Sequence, residues 1–334
     1  MAKLSIIIPV FNVAQYLPRS LDSILQQNLT PGEVEVILIN DGSTDNSESI
    51  LLRYQNQYPD IFKVISKKNE GVAATRNLGI ERASGEYVYF MDPDDYLEKD
   101  GLGNIFKEYP IYENDIIYFS STTVTNTSQI TPNKVTHNVL YKGSGYDCLK
   151  RWRLNYSVCN MIVKRDFLMK HDIRFESMYI AEDILFNLEC MQQPCRVMVV
   201  SDLIYYYVVR KTSAIHNRSK EKMKAAVECF SILFSRIQQV KKNNHSDDAL
   251  VVNLNTVLTM QLTPLFSRIL SGAFTIAEFR SIMKHINIYT NDLPESKIWR
   301  CFRFLYNNPI LYPLASFFYR HIFMVVIYPF IGKN

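Results

Sequence analysis

Within the first hundred residues, four short apolar runs alternate with turns and stretches of helical spacing. This alternation narrows the fold more than any other feature of the chain. Leu4–Val10 reads as a strand that Pro9 brings to an end, with Phe11 and Asn12 on the turn that follows. From Ala14 to Gln27, the residues Leu17, Leu21, Ile24 and Leu25 recur at the spacing of one helix face. Val34–Asn40 is a second strand, and Asp41-Gly42-Ser43-Thr44-Asp45 supplies a turn and an N-cap for a helix running to Tyr58. Phe62–Ile65 is a third, after which Asn69-Glu70-Gly71 leads into a helix carrying Ala73, Ala74, Leu78 and Ile80. Tyr87–Met91 is the fourth. Strands and helices alternating at this pitch predict a parallel sheet with right-handed crossovers, an α/β fold.

The fourth run leads directly into acid. Tyr87-Val88-Tyr89-Phe90-Met91 has the continuous apolar character of a strand buried on both faces, and Asp92, Asp94 and Asp95 follow at once. The carboxyl edge of an open α/β sheet is where such folds place ligands. Oxygen donors at this density suit a hard divalent cation, Mg²⁺ or Mn²⁺, which would hold a diphosphate. The plain alternative is that Asp92 to Asp95 cap the next helix, with Pro93 in its first turn.

Composition closes other routes. The net charge of +4 is too small to argue for nucleic acid and favours contact with anions, anionic lipid among them. The six cysteines include no CxxC pair, and no charged-then-apolar leader precedes Leu4, so reduced thiols in the cytosol are expected. The histidines never fall at metal-motif spacing, and neither GxxxxGK[ST] nor GxGxxG occurs.

Five short motifs, taken in order, carry a resemblance to a known family. They are Pro9-Val10-Phe11-Asn12, Asn40-Asp41-Gly42-Ser43-Thr44-Asp45, Asn69-Glu70-Gly71 with Arg76-Asn77 and Gly79, Met91-Asp92-Pro93-Asp94-Asp95, and Ala181-Glu182-Asp183. With this order and spacing the chain resembles an inverting family 2 glycosyltransferase of GT-A fold, over roughly residues 3 to 215. Such enzymes build bacterial surface polysaccharides, capsule and O-antigen among them. Pro93 departs from the family pattern, where serine is more usual, and removes no carboxylate.

The resemblance implies a Rossmann-like, mostly parallel central sheet with flanking helices. It implies a catalytic domain over 1–218, with a nucleotide-binding half (1–100) and an acceptor-side half (101–218), and a mainly helical region over 219–334. It also implies roles. Pro9, Phe11, Asn12, Asp41, Asn69, Gly71, Arg76, Asp92 and Arg210 would bind the nucleotide sugar, with Asp41 accepting from uracil, Phe11 stacking on the base and Arg76 gripping the diphosphate. Asp94, Asp92 and His216 are the metal candidates, for Mn²⁺ or Mg²⁺ at a DXD motif. Asp183 would be the general base, since inversion needs a carboxylate opposite the leaving group, and Glu182 would orient that site. Each has a plainer reading: helix caps for Asp41, Glu182 and Asp183, core packing for Phe11, a surface ion pair for Arg76, a solvated loop for His216.

Between these motifs Asp115–Ser120 reads as a further strand, Ser121 to Asn138 as a polar surface loop or edge hairpin, and Leu203–Arg210 as a strand closed by Arg210-Lys211-Thr212-Ser213. Trp152, Tyr156 and Met161 lie in a segment that resembles the family's acceptor-side region, either as sugar-stacking faces or as core. Beyond Ser219 strands stop, and Ala225 to Val240 and Ala249 to Ile269 have helical spacing. Residues 297–334 mix aromatics with Lys297, Arg300, Arg303, Arg320 and Lys333. Their last apolar run is too short to span a bilayer, so an amphipathic segment lying in the interface is one reading and burial against protein the other. The expected partners are a UDP-sugar, a glycan or lipid-linked oligosaccharide acceptor and the inner face of a bacterial plasma membrane, with no nucleic acid and with homo-oligomerisation left open. A non-catalytic sugar-nucleotide-binding scaffold and a nucleotide-sugar hydrolase are the rival readings.

Overall fold

Leu4–Val10 (β1), Val34–Asp41 (β2) and Tyr87–Phe90 (β4) are buried at every position, as strands covered on both faces must be. They come from a computed structural model that describes residues 2–125, 137–151, 157–209, 219–271, 274–290 and 297–319. The chain divides into two compact units, one of Met1–Ser177 with Glu182–Lys211 and one of Met178–Ala181 with Thr212–Asn334.

The first unit holds a nine-stranded sheet in the order β3-β2-β1-β4-β8-β6-β9-β5, with β7 paired to β9. The remaining strands are Phe62–Lys67 (β3), Tyr96–Leu97 (β5), Ile116–Val124 (β6), Val139–Ser144 (β7), Met161–Lys164 (β8) and Arg196–Val208 (β9). The first four strands pair in parallel, as expected. Met161–Lys164 then inserts antiparallel between β4 and β6, and β9 runs parallel to β6, so six of the nine strands point one way. The result is an α/β fold with a mostly parallel central sheet.

The helices of this unit are Leu17–Leu25 (α1), Ser47–Gln57 (α2), Val72–Arg82 (α3), Gly101–Glu108 (α4), Gly145–Arg151 (α5), Arg165–Lys170 (α6) and Glu182–Gln192 (α7). The first starts three residues later than its apolar spacing predicts, because Pro18 belongs in a first turn, where its missing N–H costs nothing. The last strand begins seven residues before Leu203, since Val197, Met198, Val199 and Val200 are also buried in the sheet. Tyr87 and Tyr89 are fully buried in β4 without an orphaned hydroxyl: Tyr87 donates to the carbonyls of Ile111 (2.8 Å) and Asn114 (3.0 Å), and Tyr89 to that of Cys159 (3.0 Å). Met161 is likewise core.

The second unit is helical among its described residues: Lys220–Asn243 (α8), Asp248–Ser271 (α9), Ile276–Thr290 (α10), Lys297–Asn307 (α11) and Tyr312–Phe318 (α12). Ser219 caps α8, its hydroxyl accepting from Lys222 N–H at 3.3 Å. Among the described residues α9 alone is long and apolar enough to cross a bilayer; Leu250, Leu254, Leu258, Leu265 and Ile269 bury one face of it in this unit's core, while Val252 and Met260 are exposed.

Candidate active site

The carboxyl ends of β1, β2 and β4 share one edge of the sheet, and the loops leaving them are laced together by short polar side chains. Asn12, in left-handed backbone (φ 52°), accepts from the amides of Thr44 (2.7 Å) and Asp45 (3.3 Å). Asp45 returns the connection, accepting from Ala14 N–H at 3.0 Å. Phe11, between them, is 47% exposed although it is large and apolar, so it is not core. Pro9 lies within β1 and is buried.

Asp41 closes β2 and is almost fully buried. Its carboxylate accepts from Lys67 Nζ (2.5 Å), Glu70 N–H (3.0 Å) and Gly71 N–H (2.9 Å), and so fixes the Asn69-Glu70-Gly71 turn. Asn69 itself is exposed. Gly71 sits at φ 89°, a conformation that favours glycine. It opens α3, which reaches the sheet closely: a Cβ at Gly79 would come within 2.3 Å of Ile7 Cγ2. That approach delivers Arg76 to the site.

Arg76 joins the two acid centres. Its guanidinium donates to Asp92 Oδ1 and to Glu182 Oε1, each at 3.0 Å, from a side chain only 5% exposed. Burial opposes its charge, but the carboxylates of Asp92 and Glu182 hold its pKa above the ordinary arginine value. The fork expected to grip phosphate is therefore occupied by carboxylates, and its buried Nε has no hydrogen-bond partner among the described residues. Below it, Phe175 and Phe186 stack at 4.0 Å, Phe90 packs edge-on at 5.0 Å, and the guanidinium lies 5.2 Å from the Phe175 ring. Asn77 clamps Phe175, donating to its carbonyl (2.9 Å) and accepting from its amide (2.8 Å).

The three aspartates after β4 separate. Asp92 remains partly exposed against Arg76, while Asp94 is buried and its carbonyl accepts from Arg19 at 3.3 Å. Asp95 turns inward, taking a short hydrogen bond from Tyr205 OH and one from Val208 N–H at 2.7 Å. Burial, and then the charges of Asp92 and Asp94, push its pKa up to about 8. Tyr205, which also accepts from Asp92 N–H at 3.3 Å, was not signalled by sequence. It is one of three consecutive tyrosines in β9, and nothing local separates it from its neighbours.

Glu182 and Asp183 open α7, where a helix N-terminus favours negative charge. Asp183 Oδ1 accepts from Ile184 N–H at 3.0 Å. Burial, and then the neighbouring Glu182 charge, raise its pKa to about 7, within reach of a proton acceptor at neutral pH. The helix-cap alternatives are thus partly realised, since this acid begins a helix and is also perturbed. Arg210, Lys211 to Ser213, His216, Trp152, Tyr156 and the end of the chain from Arg320 lie outside the described residues.

The donor set suits a divalent cation. Asp92, Asp94, Glu182 and Asp183 offer only oxygen against one buried guanidinium, and burial, joined by the neighbouring Glu182 charge, raises the pKa of Asp183. Among the described residues no three His, Cys, Asp or Glu side chains form a ready cage. A hard ion there would need substrate phosphates and water to complete its shell.

Residues 5–172 match the family described as Glycosyl transferase family 2. The chain is similar to the minor teichoic acid biosynthesis protein GgaB of Bacillus subtilis (strain 168), at 31% identity over 219 residues, 62% of this chain and 23% of that one. It is also similar to the poly(ribitol-phosphate) beta-N-acetylglucosaminyltransferase TarS of Staphylococcus aureus (strain Mu50), at 28% identity over 213 residues, 63% of this chain and 36% of that one. The chain thus spans 23% and 36% of the lengths of these two curated relatives. Among solved structures, S. aureus TarS 1–349 in complex with UDP-GlcNAc shares the fold with a TM-score of 0.69 and 23% identity, covering 95% of this chain and 91% of that one.

Proposed function

The chain belongs to glycosyl transferase family 2, and from that premise we propose that it is an inverting transferase moving a hexose from a UDP-sugar to a hydroxyl of a surface-polymer glycan. The observation that carries this reading is the Asp92–Arg76–Glu182 bridge, which ties a diphosphate-side acid loop to an acceptor-side helix start carrying Asp183. The relatives, a minor teichoic acid biosynthesis protein and a poly(ribitol-phosphate) beta-N-acetylglucosaminyltransferase, support a polymer as the acceptor class. A lipid-linked acceptor would put the work at the inner face of a bacterial plasma membrane.

In this reading Asp183 takes the proton of the acceptor hydroxyl as its oxygen attacks the anomeric carbon. The bond from that carbon to the β-phosphate oxygen breaks on the opposite side, and UDP leaves with the electron pair. Asp94 and Asp92 would hold Mn²⁺ or Mg²⁺, which when bound supplies positive charge at the diphosphate. Arg76 keeps Asp92 and Glu182 in place, each by one of its five N–H donors. Phe11 offers an exposed face to the base, and Asp41 holds the turn beside it.

The test is a thermal-shift screen of UDP-, GDP- and dTDP-sugars with and without Mn²⁺, followed by transfer assays with the stabilising donor. UDP-sugars should raise the melting temperature only with metal present, and Asp94→Asn should abolish that dependence. UDP released at full rate without acceptor would replace a transferase by a hydrolase.

A further inference from the structure

The second unit exposes an apolar stripe where its own core has already been satisfied. In α12, Tyr312 and Ser316 face inward. Tyr312 stacks on Phe279 at 4.2 Å, donates to Ile269 carbonyl at 2.8 Å and accepts from Phe274 N–H at 3.2 Å, and Ser316 donates to Leu270 carbonyl at 2.7 Å. These bonds pin one side of the helix. The other side presents Leu314, Phe317 and Phe318, and the 3-10 turn Pro309–Leu311 before it adds Ile310 and Leu311, with Ile310 76% and Leu314 69% exposed. On α11 the exposed Phe304 lies one turn from the exposed Arg300. A soluble surface would be expected to carry polar groups at such positions.

Charge indicates what covers the stripe. From Lys297 to the end, the sequence has no aspartate or glutamate and five cations, Lys297, Arg300, Arg303, Arg320 and Lys333. Those five exceed the +4 of the whole chain, so the residues before them carry a net −1. Apolar bulk with cations beside it, and no acid, is complementary to one surface in particular: an anionic lipid headgroup layer over acyl chains. A self-association face would have no need to exclude acid over such a length.

We propose that α11 and α12 form a membrane-docking face, with Ile310, Leu314, Phe317 and Phe318 entering the acyl boundary and Arg300 and Arg303 meeting anionic headgroups. The face lies flat on one leaflet, pinned to its own unit through Tyr312 and Ser316. This deepens the reading of a membrane-borne acceptor and rests on it for its purpose, while its test needs no turnover.

The full chain is sedimented with vesicles of phosphatidylcholine alone and of equal parts phosphatidylcholine and phosphatidylglycerol. Binding should be strong on the mixed vesicles, weak on the neutral ones, reduced by high salt, and released by alkaline carbonate. Leu314→Ser with Phe317→Ser should lower partition at least about tenfold, since each removes an apolar side chain from the bilayer. Arg300→Gln with Arg303→Gln should remove the preference for the anionic vesicles. All four positions lie outside the acid site, so UDP-sugar binding serves as the control for folding. Equal partition of wild type and the Leu314/Phe317 variant would overturn the proposal. So would conversion of an oligomer to a monomer by that variant without change on vesicles, which would assign the stripe to a second copy. Vesicle binding with no UDP-sugar binding would instead leave this proposal standing and remove the transferase reading.

Discussion

Asp95, which is buried, and Asp183, which is half-buried, both have raised pKa values in the same sheet unit, and they differ in what the fold asks of them. Asp95 has both carboxylate oxygens engaged by β9, through Tyr205 and Val208. Asp183 has one oxygen held by the adjacent amide of Ile184, and its other takes no hydrogen bond among the described residues. The loop after β4 therefore uses its third acid as a strut, closing the sheet's last pairing around the site. The first turn of α7 keeps an acid whose ionisation is costly and whose oxygen is uncommitted. A perturbed pKa alone does not separate these cases. Hydrogen-bond saturation does, since a fully paired carboxylate has little left to offer a substrate.

The largest expected effect tests the uncommitted acid. Asp183→Asn keeps the size of the side chain but cannot take a proton, so transfer should fall by roughly 10²–10⁴-fold with KM for donor unchanged. Steady-state kinetics on wild type and this variant would show it, and near-normal turnover would put Asp183 beside Asp95 as a structural acid. Asp95→Ala should instead act on the fold. It leaves Tyr205 OH and Val208 N–H buried without their acceptor, at about 1–3 kcal/mol each, and denaturant unfolding should record the loss. A variant of Asp95 that melts like wild type but has lost transfer would move it into the chemistry. Asp41→Ala leaves the Glu70 and Gly71 amides without their acceptor and should loosen that turn by about 1–3 kcal/mol, with weaker UDP binding in calorimetry as the consequence.

The smallest effect is the pH dependence. Transfer should fall about tenfold per unit below pH 7, where Asp183 becomes protonated, and level off above it. Stability runs the other way. Folded Asp183 binds its proton more tightly than an unfolded aspartate of pKa about 4, so its share of stability is present at low pH and is lost as pH rises through about 7. Asp183→Asn should therefore melt no lower than wild type at pH about 8. A rate flat from about pH 6 to about pH 8 would show that a different group carries the proton.

Much of the fold was legible because its causes are local. The continuous apolar character of β1, β2 and β4 comes from burial on both faces, and Gly71 marks a helix start by its own backbone chemistry. The acids of the site were legible as residue types placed just after strands or before a helix. Their division of labour was not. Arg76 meets Glu182 across 106 residues of chain, and Asp95 meets Tyr205 across 110, so neither pairing leaves a trace in spacing. The antiparallel insertion of β8 between β4 and β6 was hidden for the same reason: a strand's alternation shows that it pairs, and only the closing of the sheet selects its neighbour. Even in the tail, composition showed an acid-free aromatic stretch, while the choice of Tyr312 and Ser316 as the inward side depended on where Phe279, Ile269 and Leu270 came to lie. Sequence determined which groups were present and which local structures they favoured; tertiary packing decided which carboxylates were saturated, because saturation depends on donors brought in from distant strands.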